Sequence, residues 1–243
     1  RRASNSGYVI LGANDLSRAF GRVLRDAGQE VLLLESNPDA CRAAEKEGFR
    51  VLYGTGLSES ILQRADMDGR AGCLAITPND GVNLLFARRA REMFRVPRAW
   101  VALRRGHLSV TKEMVRQTGS AILFGEPKNI ELWTLRLERK LATASRFRRT
   151  VAEVGEDEMK ELHDEMENLI LPLALRRGKK ILPMDGQIAF KKDDELIALI
   201  LGERRGPAVE WLYRRGWHAE EEAPAESTDG ARRTAAGAGT PSS

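Results

Sequence analysis

The sequence has few groups that react, bind metal or build membrane spans. Among its 243 residues are two cysteines, Cys41 and Cys73, 32 positions apart, so neither a disulfide framework nor a C-x-x-C motif is available. Three histidines, His107, His163 and His218, are scattered without metal-ligand spacing, and no metal site is expected. Aromatic residues make up only 6%. The longest apolar run, Leu169 to Leu175, has seven residues and contains Pro172, far short of the ~18 that cross a bilayer. Collagen-like, coiled-coil and integral-membrane classes are excluded for the chain as given. What remains is an ordinary globular composition, 42% hydrophobic and 30% charged, ample to bury a core. The formal charge of +4 speaks to solubility and encounter rather than to a fold. The chain opens Arg1-Arg2-Ala3 without a methionine and reads as a piece of something longer.

Residues 1–126 alternate short apolar runs with helical patterns. Strands are expected at Tyr8–Leu11, Val31–Leu34, Val51–Tyr53, Cys73–Ile76, Ala99–Leu103 and Ala121–Phe124. Leu16, Phe20, Val23, Leu24 and Ala27 form one helix face, Asn37-Pro38 opens another helix, and Val82, Phe86, Ala90 and Met93 mark a third. A further helix is expected near Thr111–Gln117. Strands buried on both faces and separated by helices argue for a parallel, doubly wound α/β sheet of Rossmann type.

The character then changes. Asn129–Leu141 reads as a helix with Ile130, Trp133, Leu137 and Leu141 on one face, followed by a basic stretch through Arg149, the two together forming a linker over 127–149. A small α+β unit follows over 150–203, with strands expected at Leu169–Leu175, Lys180–Leu182, Gln187–Phe190 and Glu195–Ile200. Arg177-Gly178 and Asp185-Gly186 give hairpin-type turn signals between them. Over 204–243, Ala208–Tyr213 fits a short helix, and the Ala/Glu/Ser/Gly/Pro-rich tail from Ala219 is expected to be disordered.

Candidate chemistry centres on the first strand-to-helix turn, Gly12-Ala13-Asn14-Asp15-Leu16-Ser17. It stands where a dinucleotide fingerprint G-x-G-x-x-G belongs, and the acid Glu35 follows Gly12 by 23 positions at the tip of the second strand. Gly12 permits the tight turn, the helix start offers free N–H groups to a phosphate, and Glu35 can accept from a ribose diol while disfavouring a 2′-phosphate. Asn14 replaces the middle glycine. The same kind of turn also occurs in doubly wound proteins that bind nothing there. Gly54-Thr55-Gly56 and Thr77-Pro78-Asn79-Asp80 follow the third and fourth strands, at the carboxyl ends where open α/β sheets place ligands. Asn79-Asp80-Gly81 also fits a plain helix cap.

The order of these pieces resembles the KTN/RCK (TrkA-N plus TrkA-C) regulatory domains of bacterial potassium channels, potassium uptake systems and cation:proton antiporters. The resemblance is carried by Val9–Ser17, Leu32–Asn37, Tyr53-Gly54, Ala75–Thr77 through Asn83–Leu85, and Val101–Arg104. In the second unit it is carried by Arg177-Gly178, Ile181–Pro183, Asp185-Gly186 and Asp193–Leu196. It implies a TrkA-C strand and helix over Thr150–Met166. It places Gly12, Asn14, Asp15, Leu16 and Ser17 along ligand phosphates and Glu35 and Ser36 at the ribose. Gly54, Thr55 and Gly56 fall near the adenine, with Thr55 in place of the family's usual aspartate. Thr77 and Asn79 fall at the cleft edge and Arg104 close to phosphate.

The resemblance further implies a non-catalytic cytoplasmic module at the inner face of the membrane, binding NAD(H) or an adenine nucleotide (AMP, ADP or ATP). The expected partners are a second copy in a homodimer or assembly of dimers, contacted by the helix 129–141, and an ion channel or transporter, fused upstream of Arg1 or separate. An NAD-dependent oxidoreductase is the alternative, but Tyr-x-x-x-Lys is absent: Gly12, Leu57 and Trp217 stand four positions after the tyrosines. Nucleic-acid binding by the Arg136–Arg149 stretch is weaker still, since no reading module or stacking platform accompanies it, and no nucleic-acid partner is expected.

Overall fold

A computed structural model describes residues 6–107, 109–152 and 158–220. The chain runs β1 (Tyr8–Leu11), α1 (Asp15–Asp26), β2 (Val31–Glu35), α2 (Pro38–Lys46), β3 (Arg50–Tyr53), α3 (Glu59–Arg64), β4 (Gly72–Ala75) and α4 (Asp80–Glu92). It continues through β5 (Ala99–Val101), α5 (Lys112–Gln117), β6 (Ala121–Ile122), α6 (Ile130–Glu138) and β7 (Ala142–Arg149). Last come α7 (Glu158–Glu165), β8 (Ile170–Arg177), β9 (Lys180–Pro183), β10 (Glu195–Leu201), α8 (Arg205–Arg214) and β11 (Trp217–Ala219).

The first six strands form a parallel sheet in the order β3-β2-β1-β4-β5-β6. Both β1 and β4 are buried along their whole length, as strands covered on two faces must be. On one face lie Leu16, Phe20 and Leu24 of α1 with Ala44 of α2. On the other lie Leu62 of α3, Phe86 and Ala90 of α4 and Val115 of α5. The sheet is the expected Rossmann-like one, and its order reverses between β1 and β4, which opens a crevice at their carboxyl ends.

The last five strands form an antiparallel sheet, order β11-β7-β10-β8-β9. Its central strand β10 is buried throughout: Ile197 and Leu199 face the core shared with α1, while Leu196, Ala198 and Ile200 face Trp211 and Leu212 of α8. The two sheets thus share one apolar core. Trp100 Nε1 donates to Asp185 Oδ2 (3.1 Å), and Phe124 N–H donates to the Met184 carbonyl (2.7 Å) across the seam.

Four expectations change. The basic stretch ending at Arg149 is not linker but strand β7, paired with β10 along seven positions. Ala142 enters the core shared with α1, Phe147 and Arg149 are buried on the other face, and Arg149 is held by Glu158 Oε1 at 2.9 Å and lies over the Trp217 ring. This strand precedes the range Thr150–Met166, where the described residues hold only helix α7 and 153–157 lie outside them. Helix α6 ends at Glu138, so Leu141 leaves the predicted helix face and is half exposed, whereas Ile130 and Trp133 pack against α1 of the same chain. Gln187–Phe190 is a loop, turned by Asp185 Oδ1 accepting from Gln187 N–H (2.9 Å), with Phe190 buried edge-on to Trp217. Finally, Ala219, where the disordered tail was expected to begin, is the last residue of strand β11; residues 221–243 of that tail lie outside the described residues. No described helix is long and apolar enough to cross a membrane.

Candidate functional site: the crevice above β1 and β4

Gly12 ends β1 with its N–H on the Leu34 carbonyl (2.8 Å) and a φ of +103°, and a Cβ there would stand 2.8 Å from the Ile76 carbonyl oxygen. Glycine is required on both counts. Asn14 is the N-cap of α1: its Oδ1 accepts from Ser17 N–H (2.9 Å), and its Nδ2 donates to the Ile76 carbonyl at the end of β4 (2.8 Å). The residue that replaces the fingerprint's middle glycine is therefore engaged with the protein, fastening the turn to the neighbouring strand. The Ser17 hydroxyl lies within reach of the same two oxygens, at 3.2 and 3.1 Å. Arg18 N–H closes the first helical bond onto the Asn14 carbonyl (2.9 Å). The Asp15 and Leu16 amides are the first-turn donors left over for an outside acceptor, at the positive end of a 12-residue helix.

Arg18, which the sequence reading passed over, fixes this turn from beneath. Nearly buried, it donates to the Ala13 carbonyl (2.6 Å), to Glu47 (2.8 Å) and to Asp15 (2.7 Å), so the acidic side chain in the first turn is paired. Glu35 fixes it from the side. Its Oε2 accepts from Ala13 N–H (2.9 Å), and its Oε1 from Ser36 N–H (2.7 Å) and Asn37 N–H (2.8 Å). A carboxylate has about four lone-pair sites, so one remains on Oε2 beside the turn.

Beyond Glu35, Gly54 N–H donates to the Glu35 carbonyl (2.9 Å), at a φ of +146°. Gly56 lets the loop lie on β1, since a Cβ there would stand 2.2 Å from Leu11 Cδ1. Thr55 is exposed, its hydroxyl oxygen accepting from Leu57 N–H (3.3 Å) and its carbonyl from Ser58 N–H (3.1 Å).

The β4–β5 side is built differently. Asn83, fully buried on α4, accepts from Thr77 Oγ1 (2.6 Å) and Thr77 N–H (3.1 Å) and donates to the carbonyls of Thr77 (2.9 Å) and Ala102 (3.0 Å). Asn79 caps α4, its Oδ1 accepting from Val82 N–H at 3.0 Å. Arg104 is held by buried Asp80, whose Oδ1 lies 3.1 Å from its N–H and 3.4 Å from its Nε, and it reaches Glu131 of α6 at 3.3 Å. Asn83 and Asp80 stand in segments the sequence singles out but were not among its site residues; for Asn83 the available signal was a polar residue on the buried face of the Val82–Phe86–Ala90 pattern.

Next to this side, Lys128 is buried behind the Arg104 loop, and burial, then the Arg105 guanidinium, lowers its ammonium to about 8 against the opposing pull of Glu126 and Asp164. Arg105 pairs with Glu167 and Arg136 donates to the Asn168 carbonyl (2.9 Å), joining this half to the second sheet unit. Both cysteines are buried and reduced. Burial, ahead of neighbouring charges, pushes the Cys73 thiol up to about 12 and raises the Cys41 thiol, keeping both from the nucleophilic thiolate form.

The structure thus brings Gly12, Asn14, Asp15, Leu16, Ser17, Glu35 and Ser36 together around one turn, with Gly54, Thr55 and Gly56 beside it. Thr77, Asn79 and Arg104 lie across the crevice in bonds to the protein itself. Residues 8–120 match the TrkA-N domain family. The TrkA-N match covers the whole parallel sheet except β6 and stops before the second unit. A curated relative, the Trk system potassium uptake protein TrkA of Streptomyces coelicolor, is 29% identical over 89 residues. That alignment covers 36% of this chain and 40% of the relative, so the chain spans less than half the length of the protein it matches. Among solved structures, the TrkA-N domain of the inner membrane protein ybaL from Escherichia coli aligns with 56% of this chain and 96% of its own, at 15% identity and a TM-score of 0.44. The GsuK RCK domain aligns with 87% of this chain and 47% of its own, at 14% identity and a TM-score of 0.42.

Proposed function

We propose that the chain is a ligand-gated regulatory module rather than an enzyme. It binds NAD(H) or an adenine nucleotide (AMP, ADP or ATP) and passes the occupancy of its crevice to a potassium channel or transporter, or to a cation:proton antiporter. The observation that carries this reading is the turn after β1. Glu35 holds the Ala13 amide at 2.9 Å while the Asp15 and Leu16 amides are left at the helix start, a cradle for a phosphate beside a carboxylate for a ribose diol. The TrkA-N match and the potassium-uptake relative support the direction of the reading.

In this reading the second unit is the TrkA-C-like partner of the first, and the chain acts as a homodimer or an assembly of dimers in the cytoplasm, against the inner face of the membrane. Nucleic acid has no place in this reading, which is supported by the pairing of Arg146 with Asp26 and Glu195, of Arg148 with Glu220 and of Arg149 with Glu158. Binding favours one arrangement of the dimer, and the difference in ligand affinity between arrangements, typically about 1–3 kcal/mol, biases the transporter.

Melting temperatures measured with NAD, NADH, AMP, ADP and ATP test the proposal. Ligand at a hundredfold excess over its Kd adds about 2.7 kcal/mol, a rise of roughly 5 °C or more for a domain of this size. If none of the five moves the melting temperature, nucleotide gating through this crevice is wrong.

A further inference from the structure

Beside Glu35 the crevice carries an aromatic ring with no partner. Tyr53 closes β3, the edge strand, and pairs in parallel register with Glu35. Registered residues on neighbouring parallel strands stand on the same face, with the strands about 4.8 Å apart. Tyr53 is 62% exposed, the most exposed large apolar side chain among the described residues, and among them it makes no hydrogen bond or ring contact. A tyrosine ring offers a flat, rigid face on which another ring can stack. Two positions on, Thr55 has its hydroxyl oxygen and its carbonyl already accepting from Leu57 and Ser58 amides, which leaves that loop little with which to read the edge of a base.

We infer that Tyr53 is the platform on which the nucleotide's base stacks, so that the crevice takes purine ribonucleotides as a class, selecting the ribose diol strictly and the base loosely. This rests on the nucleotide reading above. Glu35 reads the sugar, the amides of Asp15 and Leu16 hold the phosphate, and the Tyr53 ring covers a base face. Stacking is tolerant because every base has a π-face, whereas edge readout is not. AMP and GMP should therefore bind alike.

Calorimetric titration of the whole chain with AMP, GMP and ribose 5-phosphate, on wild type, Tyr53→Ala and Tyr53→Trp, tests this. Base stacking on an aromatic residue is commonly worth tenfold or more in affinity. The expected result is AMP and GMP within about threefold of each other on wild type, both weakened about tenfold by Tyr53→Ala and retained by Tyr53→Trp, with ribose 5-phosphate unaffected by either change. Unaltered AMP affinity in Tyr53→Ala overturns the platform while leaving the nucleotide reading standing, as does rejection of GMP by wild type. Wild type binding neither nucleotide overturns both. Tyr53 is exposed, so its replacement is not expected to disturb folding, which an unchanged melting temperature verifies.

Discussion

The two halves of the crevice are made from the same kind of element, a parallel strand followed by a helix, yet they spend their polar groups differently. On the β1–β2–β3 half, Arg18 and Glu35 hold the turn from below and beside, and the first amides of α1 are left over. On the β4–β5 half, Asn83 closes onto Thr77 and Ala102, and Arg104 is shared between Asp80 and Glu131. One half is organised to receive; the other is organised to hold the sheet, and beside it Arg105 and Arg136 join it to the second unit. A ligand whose recognition depends on the first half gains little from length that reaches across the second.

The largest expected effect comes from breaking the closed half. Asn83→Ala leaves the Thr77 N–H and two carbonyls unpaired in the interior and should lower unfolding stability by about 3 kcal/mol in urea titrations. Calorimetry should still find AMP affinity within about threefold of wild type; a tenfold loss would show that the ligand depends on this half.

Lys128 gives the next effect, on the seam of the closed half. With its ammonium lowered from 10.5 to about 8 by burial and Arg105, folding opposes its protonation. That cost is fully present below pH 8 and is relieved as pH rises through 8 toward 10.5, so wild type should gain on the order of 2 kcal/mol across this window relative to Lys128→Met. Parallel stability curves for the two proteins would contradict it.

Glu35→Gln strikes the open half. An amide presents one accepting oxygen to the Ala13, Ser36 and Asn37 N–H groups, and AMP affinity should fall at least tenfold while stability drops by about 1 kcal/mol. The smallest effect is a near-equality. NAD should bind within about threefold of AMP, because its second nucleotide would lie over groups already bonded to one another.

The six parallel strands were legible because each is a short apolar run covered on both faces, and the turn was legible because Gly12 and Glu35 keep the spacing of a known geometry. Strand β7 was not, since Arg146, Arg148 and Arg149 read as a solvated stretch, and only pairing with β10, some fifty residues away, shows which of them is buried. Tertiary pairing overrode local pattern there. Within the site, Asn14 was legible as a departure from glycine but not as the fastening to Ile76, a partner 62 residues on. The roles of Arg18, Asp80 and Asn83 were not legible for the same reason: they are defined by partners that the fold brings near, such as Glu47, Arg104 and the Ala102 carbonyl.

The most direct test of the account is a calorimetric comparison of AMP with the same nucleotide carrying an additional phosphate on the ribose 2′-oxygen. With Glu35 fixed by three amides beside the turn, the account predicts that AMP binds and that the 2′-phosphate weakens it more than tenfold, through repulsion from the carboxylate and loss of the diol. Equal affinity for the two, or binding of neither, would contradict it.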